Sequence, residues 1–304
     1  MRRLTLALIA AASLAAPAFA QQGGPPVGPD WSKITVKTTD LGNRTYMLEG
    51  QGGNVTVAAG DDGIIMVDGQ FAPMHDKLKA AIAAVSPQPI KFLVNTHHHG
   101  DHTGGNAAFT ADGATVVGHV TERELLAKGS ISVTTMQPVA AVSGAGLPAR
   151  TYTDTLTLEV KGHSALLRHP ANAHTAGDTF VYFADANVLS TGDVIALGRY
   201  PTIDYLNGGS INGMIAAVEA YIALVNDTTK IVPGHGPLIN KARLVEYYAL
   251  LVTTRDRVQK LIADGKSLDE VYAAKPFTDL DAKVGGAEGP AKNYIRAVYS
   301  SLKG

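Results

Sequence analysis

The sequence predicts an α/β fold of the α+β type, and three observations predict it. Short apolar, β-branched runs bounded by glycine or aspartate alternate with stretches of helical spacing. That order, strands and then helix, occurs twice along the chain without a residue-level repeat of fixed period. Histidines and aspartates collect where the apolar strands end.

The elements follow in order. After a Gly/Pro-rich lead-in, "QQGGPPVGPDWS", come four strand-like runs, "ITVKTTDLG", "RTYMLEG", "NVTVAAG" and "GIIMVDG". "HDKLKAAIAAVS" has helical spacing, "PIKFLVNT" returns to strand, and "ATVVGH" is a strand leading into the helix "VTERELLAKG", which Gly129 ends. Residues 129–149 are low in charge and are expected to form a loop that could act as a lid. The second half repeats the plan with strands "DTLTLEV", "SALLRHP", "TFVYFAD" and "ANVLSTGD", the helix "SINGMIAAVEAYIALV" and a last strand, "TKIVPGHG". Beyond it the pattern is helical to the end, with Ser267 and Glu270 spaced as a capping box.

The first twenty residues carry two arginines, an apolar run and "AFA" before Gln21, the pattern of a cleavable export signal cut after Ala20. The run is short for a span of ~20 residues, so no stable membrane anchor is expected, and the mature chain is expected in the periplasm or outside the cell. The 304 residues contain no cysteine, which excludes disulfides, a thiolate nucleophile and thiolate metal ligands. A formal net charge of -1 supplies no basic footprint, which disfavours nucleic acid as a partner and leaves a small-molecule substrate.

Of the 10 histidines, four crowd with an aspartate into "HHHGDH" at the end of an apolar strand. In an extended segment side chains at i and i+2 point the same way, so His97 and His99 can converge on one ion while His98 points elsewhere. Asp101 and His102 follow in a glycine-softened loop that can turn them toward a second ion. Each ion then lacks a third protein ligand. His174 in "NAHTAGDT", Asp193 in "STGD" and His235 in "PGHG" stand at strand ends beside glycine or proline, where they can fill those places. His119, His163 and His169 read as packing or surface residues, and Asp178 as a turn or supporting residue.

These motifs resemble the metallo-β-lactamase superfamily: "HHHGDH" fits its H-x-H-x-D-H signature, His174, Asp193 and His235 fall in the order of its later ligands, and "GIIMVDG" is similar to the strand whose aspartate, here Asp68, supports the metal loop from behind. The resemblance spans about residues 35 to 245. It implies a four-layer αββα sandwich of two mixed β-sheets flanked by helices; by their own sequence patterns an export signal (1–20) and lead-in (21–34) are expected before this domain, and a helical extension (246–304) packed on it after. It also implies one metal on His97, His99 and His174, another on Asp101, His102 and His235, and Asp193 bridging them. Two Zn2+ ions suit so many imidazoles, with iron or manganese allowed by the carboxylate bridge.

Such a pair of ions generates a hydroxide nucleophile from water at neutral pH, and the resemblance gives Asp101 the role of orienting it and handling its proton. The expected activity is that of an exported zinc-dependent hydrolase of carbonyl substrates, β-lactam-like cyclic amides first. Absence of a cysteine near Asp193 departs from one β-lactamase subclass, and the Asp193 carboxylate is more typical of lactonases and glyoxalase-II-like thioesterases. "VVGHVTERELL" and "AHTAGDTFVYF", however, resemble the β-lactamase branch. An alternative of another class is an exported, non-catalytic metal-binding protein, which would not need a bridging carboxylate. A phosphodiesterase is disfavoured by the charge, and a mononuclear iron oxygenase by the retention of both His102 and His235. In "ALGRYPTIDYLNGG", Arg199, Tyr205 and Asn207 are candidates to orient a substrate carboxylate or oxyanion.

Overall fold

Successive hairpins build the first sheet. In the computed structural model, which describes residues 29–284 and 288–303, β1 (Lys37–Gly42), β2 (Thr45–Glu49), β3 (Val55–Ala59) and β4 (Ile64–Val67) pair antiparallel in chain order. β5 (Ile90–Val94) and β6 (Thr115–His119) then join in parallel. β7 (Ser130–Ile131) and β8 (Pro138–Val139) form a small hairpin of their own, after which β9 (Arg150–Tyr152) completes the sheet alongside β6. The second sheet runs β10 (Thr155–Val160), β11 (His163–Arg168), β12 (Phe180–Phe183) and β13 (Val188–Ser190), all antiparallel, and closes with β14 (Lys230–Val232) parallel to β13.

The two sheets pack face to face. Period-two alternation places Ile65 and Val67 of β4 in a shared apolar layer with Val94, Val117, Leu167, Phe183 and Val232, while Ile64 and Met66 are buried on the opposite face. Helices cover that outer face: α1 (His75–Ala83), the single turn α2 (Gly100–Thr103), α3 (Asn106–Ala111) and α4 (Val120–Lys128) all belong to the first half. On the far side of the second sheet, α5 (Ile211–Leu224), α6 (Lys241–Ala263), α7 (Leu268–Ala274), α8 (Thr278–Val284) and α9 (Glu288–Lys303) enclose a second core, in which Phe180 and Leu189 of the sheet meet Met214, Leu251, Val271 and Val298. This is the αββα architecture. Its terminal helices begin at Lys241, several residues before position 246, because Asn240 caps the helix there by accepting from the Arg243 amide. Ser267 and Glu270 make the expected capping box at α7.

Parallel pairing decides where the chemistry sits. Val67 of β4 lies beside Val94 of β5, which lies beside Val117 of β6, so Asp68 and the loop Asn95–His99 leave the first sheet at one edge. Ser190 of β13 lies beside Val232 of β14, so Asp193 and His235 leave the second sheet together. Main-chain bonds close the two edges on each other: the Thr179 amide donates to the Thr96 carbonyl (2.7 Å) and the Asn54 amide to that of Gly234 (2.7 Å).

The sequence pattern did not reveal α2, α3 or β9, and β1 begins at Lys37 instead of residue 34. The segment 129–149 carries the β7–β8 hairpin, with Ile131, Met136 and Val139 exposed. The export signal and its cleavage point lie outside the described residues. Among the described residues no helix is long and apolar enough to cross a membrane.

One buried group behind the site edge sets a pH dependence. Glu122, in the first turn of α4, is fully buried against Gly118 of β6. Burial, with the Asp68 charge nearby, holds its carboxyl well above the ordinary value of 4.5 despite relief from the His119 backbone. The folded chain therefore keeps a proton that the unfolded chain releases above that value, and stability falls as pH rises from there toward the folded pKa. Glu122→Gln removes this loss. Urea unfolding of both proteins should show the variant gaining stability relative to the parent as pH rises from 5 to 8. A stability difference independent of pH would contradict it.

Candidate metal centre

Asp68 leaves β4 with a left-handed backbone (φ 65°), unusual for a residue with a Cβ, and its buried carboxylate faces the loop after β5. It accepts from the Thr96 amide (2.8 Å), the Thr96 hydroxyl (2.8 Å) and His102 Nδ1 (2.7 Å). Because the Thr96 hydroxyl donates to Asp68, its oxygen is left to accept from His97 Nδ1 (3.0 Å). Both imidazoles thereby point Nε2 toward the cleft.

The other rings are fixed in the same way by different groups. His174 Nδ1 donates to the Thr202 carbonyl (2.7 Å) and His99 Nε2 to the Asp204 carboxylate (2.8 Å), which turns His174 Nε2 and His99 Nδ1 toward one another at 3.1 Å. His235 Nε2 comes within 3.1 Å of Asp101 Oδ2 and 3.4 Å of Asp193 Oδ1, and the latter lies 3.3 Å from His102 Nε2.

The ligating atoms fall into overlapping sets, each within 4.8 Å: His97, His99 and His174; His97, His102 and Asp193; and Asp101, His102 and His235. His97 Nε2, His102 Nε2, His235 Nε2 and Asp193 Oδ1 are buried without a hydrogen-bond partner, in the same small volume. Buried polar atoms left so are costly, and a bound cation satisfies all of them. The residues present therefore fit divalent metal. Two glycines permit the close approach: a Cβ on Gly53 would collide with the His102 ring, and one on Gly234 with Asp193 Oδ1.

Electrostatics point the same way. Burial disfavours charge on His97, as do the neighbouring His102, His174 and His99, so its pKa lies well below the ordinary value. Burial likewise brings His174 down to about 4. For His102 the burial cost is outweighed by Asp68, Asp101 and Asp193, and its pKa rises well above the ordinary value. Burial also opposes ionisation of Asp101 and Asp193, but His102 and His235 together hold both below the usual carboxylate range. The centre is a concentration of ionised carboxylate that retains protons on imidazole. Metal uptake must displace those protons and weakens as pH falls.

Several residues do other work than the sequence indicated. Asn207 does not face the cleft; its amide is engaged by both oxygens of Asp204 (2.9 and 2.8 Å) and by the Ile131 carbonyl (3.0 Å). Tyr205 packs against the helical core. Arg199 does line the cleft, half-exposed, with its guanidinium 3.7 Å from Asp193 Oδ2. His98 belongs to none of those three sets; it groups instead with His99 and Asp204, its Nε2 3.7 Å from Asp204 Oδ2. His119 caps α4 and stacks on His169 at 3.8 Å, His163 pairs with Asp185 (2.6 Å), and Asp178 accepts from the amide and hydroxyl of Thr175 in the turn after His174. Asp204 itself was missed. Its only signal in the sequence is an acid set between the apolar Ile203 and Tyr205, soon after Asp193.

Comparison with known proteins agrees with the fold. Residues 48–235 match the family model of the metallo-β-lactamase superfamily, and the chain belongs to that superfamily. It is 25% identical over 259 residues, 84% of this chain and 74% of the relative, to the 2,4-dinitroanisole O-demethylase subunit alpha of Nocardioides sp. (strain JS1661). It is 26% identical over 172 residues to the hydroxyacylglutathione hydrolase of Polaromonas sp., covering 56% of this chain and 58% of that protein. Among solved structures, the metallo-β-lactamase from Pontibacter korlensis superposes with a TM-score of 0.59 at 19% identity, covering 71% of this chain and 99% of that one, a likeness of fold.

Asp193 lies between the histidine set and the Asp101–His102–His235 set, so Asp193→Asn should loosen the ion on the second set by at least about tenfold and leave the first nearly full. Asp101→Asn should lower turnover more than metal content. Elemental analysis and initial rates on both variants check this; two tightly held ions and normal rates in Asp193→Asn would show that Asp193 touches neither.

Proposed function

We propose that this chain is an exported, zinc-dependent hydrolase of carbonyl compounds, with β-lactam-like cyclic amides as its leading substrate class. One ion is assigned to His97, His99 and His174, a second to Asp101, His102 and His235, and Asp193 spans them. The observation that carries the reading is the set of buried, unpartnered atoms, Nε2 of His97, His102 and His235 and Oδ1 of Asp193, pointing into one volume, while the other nitrogen of His97 and of His102 is locked by a partner behind it.

When bound, the divalent ions supply Lewis acidity and a lowered pKa for water. The chain's own residues do the rest. Asp101, held ionised and about a quarter exposed on the cleft side, can accept a proton from an incoming water and pass it to the leaving group. Arg199 at the rim offers a cation to an anionic group of the substrate. Ile131, Val133 and Val139 of the hairpin and Phe71 opposite form an apolar wall that sheds water from the reacting bond. The cleft encloses about 260 Å³, sized for a compact ring compound near the low end of the ~300 to 1,000 Å³ usual for ligand sites.

A second reading, cleavage of an aryl ether, is supported by the similarity to the dinitroanisole demethylase over most of the chain and by the same apolar wall. A panel of a carbapenem, an acyl-homoserine lactone, an acyl thioester and 2,4-dinitroanisole separates these. The expected result is β-lactam turnover that a chelator abolishes, with Arg199→Ala raising KM about tenfold at nearly unchanged kcat. Fastest turnover of the thioester or the ether, or full activity in metal-stripped protein, would overturn it.

A further inference from the structure

The β7–β8 hairpin that walls the cleft is fastened by its main chain. The Ile131 carbonyl accepts from Asn207 Nδ2 at 3.0 Å, and the Val133 carbonyl accepts more weakly from Arg296 at 3.4 Å. A primary amide carries two hydrogens, and the second one on Asn207 is directed at the Asp204 carboxylate, whose oxygens lie 2.8 and 2.9 Å away. Asp204 is fully buried. Its Oδ2 accepts a hydrogen bond from His99 Nε2, and its own amide donates to the His174 carbonyl at 2.9 Å. A continuous set of hydrogen bonds thus runs from the cleft wall, through one side-chain amide, to two members of the three-histidine set.

We infer that Asn207 is a positioning residue coupling the seating of the β7–β8 hairpin to the orientation of His99, so that a cation held by His97, His99 and His174 and a closed hairpin stabilise each other. The inference rests on the assignment of those histidines as ligands. Its physical basis is that Asp204 cannot lose a donor without cost in a buried place. With Asn207 bound, its carboxylate is held in the plane that meets His99 Nε2–H; without it, the buried charge must seek another donor and the ring loses its fixed angle. A cation on His99 Nδ1 polarises the ring, strengthens the Nε2–H donor, and so fixes Asp204, Asn207 and the hairpin carbonyl in turn. The coupling is reciprocal by linkage. A wall that closes when the centre is loaded keeps an empty centre open to solvent and a loaded one dry.

The test uses the full chain with Co2+ as the probe, read by its visible absorption, by competition against a chelator, and by amide hydrogen exchange over residues 130–139. In the parent protein cobalt should slow hairpin exchange by about fivefold or more. Asn207→Ala should erase that response and weaken the tighter cobalt by about tenfold, within the 5- to 150-fold range of ordinary site coupling. Replacing residues 131–138 with two glycines should weaken cobalt binding in the parent and have no further effect in Asn207→Ala. Bound cobalt with unchanged hairpin exchange in the parent, a measurement that needs no variant, would overturn the coupling alone. Additive effects of truncation and Asn207→Ala would do the same. Failure of the folded parent to bind cobalt would overturn the ligand assignment and this inference with it.

Discussion

The centre depends on how one carboxylate is divided. Asp68 accepts from the Thr96 amide, the Thr96 hydroxyl and His102 Nδ1, and through that hydroxyl it also sets His97. His97 belongs to the three-histidine set and His102 to the set with Asp101 and His235, so a single buried group fixes the tautomer and ring plane of a ligand candidate in each. The left-handed backbone at Asp68 is what lets a residue at the end of β4 reach both. Such a conformation costs ~1 kcal/mol or more and persists only where its surroundings impose it. Here they do: the Asp68 amide is tied to the Val94 carbonyl and the Gly69 amide to that of His102.

The fold explains why the two sheets are both needed. The first supplies Asp68 and the His97–His102 loop; the second supplies Asp193 and His235, with His174 on the loop between β11 and β12. Neither sheet carries a complete set. Their apolar interface, with Val67, Val94, Phe183 and Val232 in one layer, holds the contributions in register, and the Thr179–Thr96 and Asn54–Gly234 bonds seal it at the reactive edge. Close packing turns into chemistry at Gly53 and Gly234, where a single methyl group would occupy the space of a ligand.

The ligand candidates were legible because imidazole is scarce in this chain and its chemistry is narrow: clustered histidines beside an aspartate at a strand end have few other uses. Asp68 was legible through the strand that delivers it. The strands of the first sheet stood out because alternation and flanking glycines leave a plain pattern, whereas α2 has four residues, α3 six and β9 three, too few to show a period. Supporting contacts were illegible for a different reason. The partner of His174 is the backbone carbonyl of Thr202, which every residue possesses, and Asp204 resembles any loop aspartate until the fold buries it against His99. Asn207 looked like a substrate contact because nothing in a sequence tells an amide facing solvent from one turned inward to bridge a carboxylate and a hairpin.

If Asp68 governs both ligand sets, disabling it must empty both together. Asp68→Asn keeps the shape but replaces one acceptor oxygen with a donor, setting N–H either against the Thr96 amide on Oδ1 or against both the Thr96 hydroxyl and His102 Nδ1, which share Oδ2. If the parent holds the two ions proposed for it, the metal-to-protein ratio of the folded variant, measured by elemental analysis after dialysis against a weak chelator, should fall from two toward zero without a plateau at one. A ratio that stops at one, or stays at two, would contradict the account.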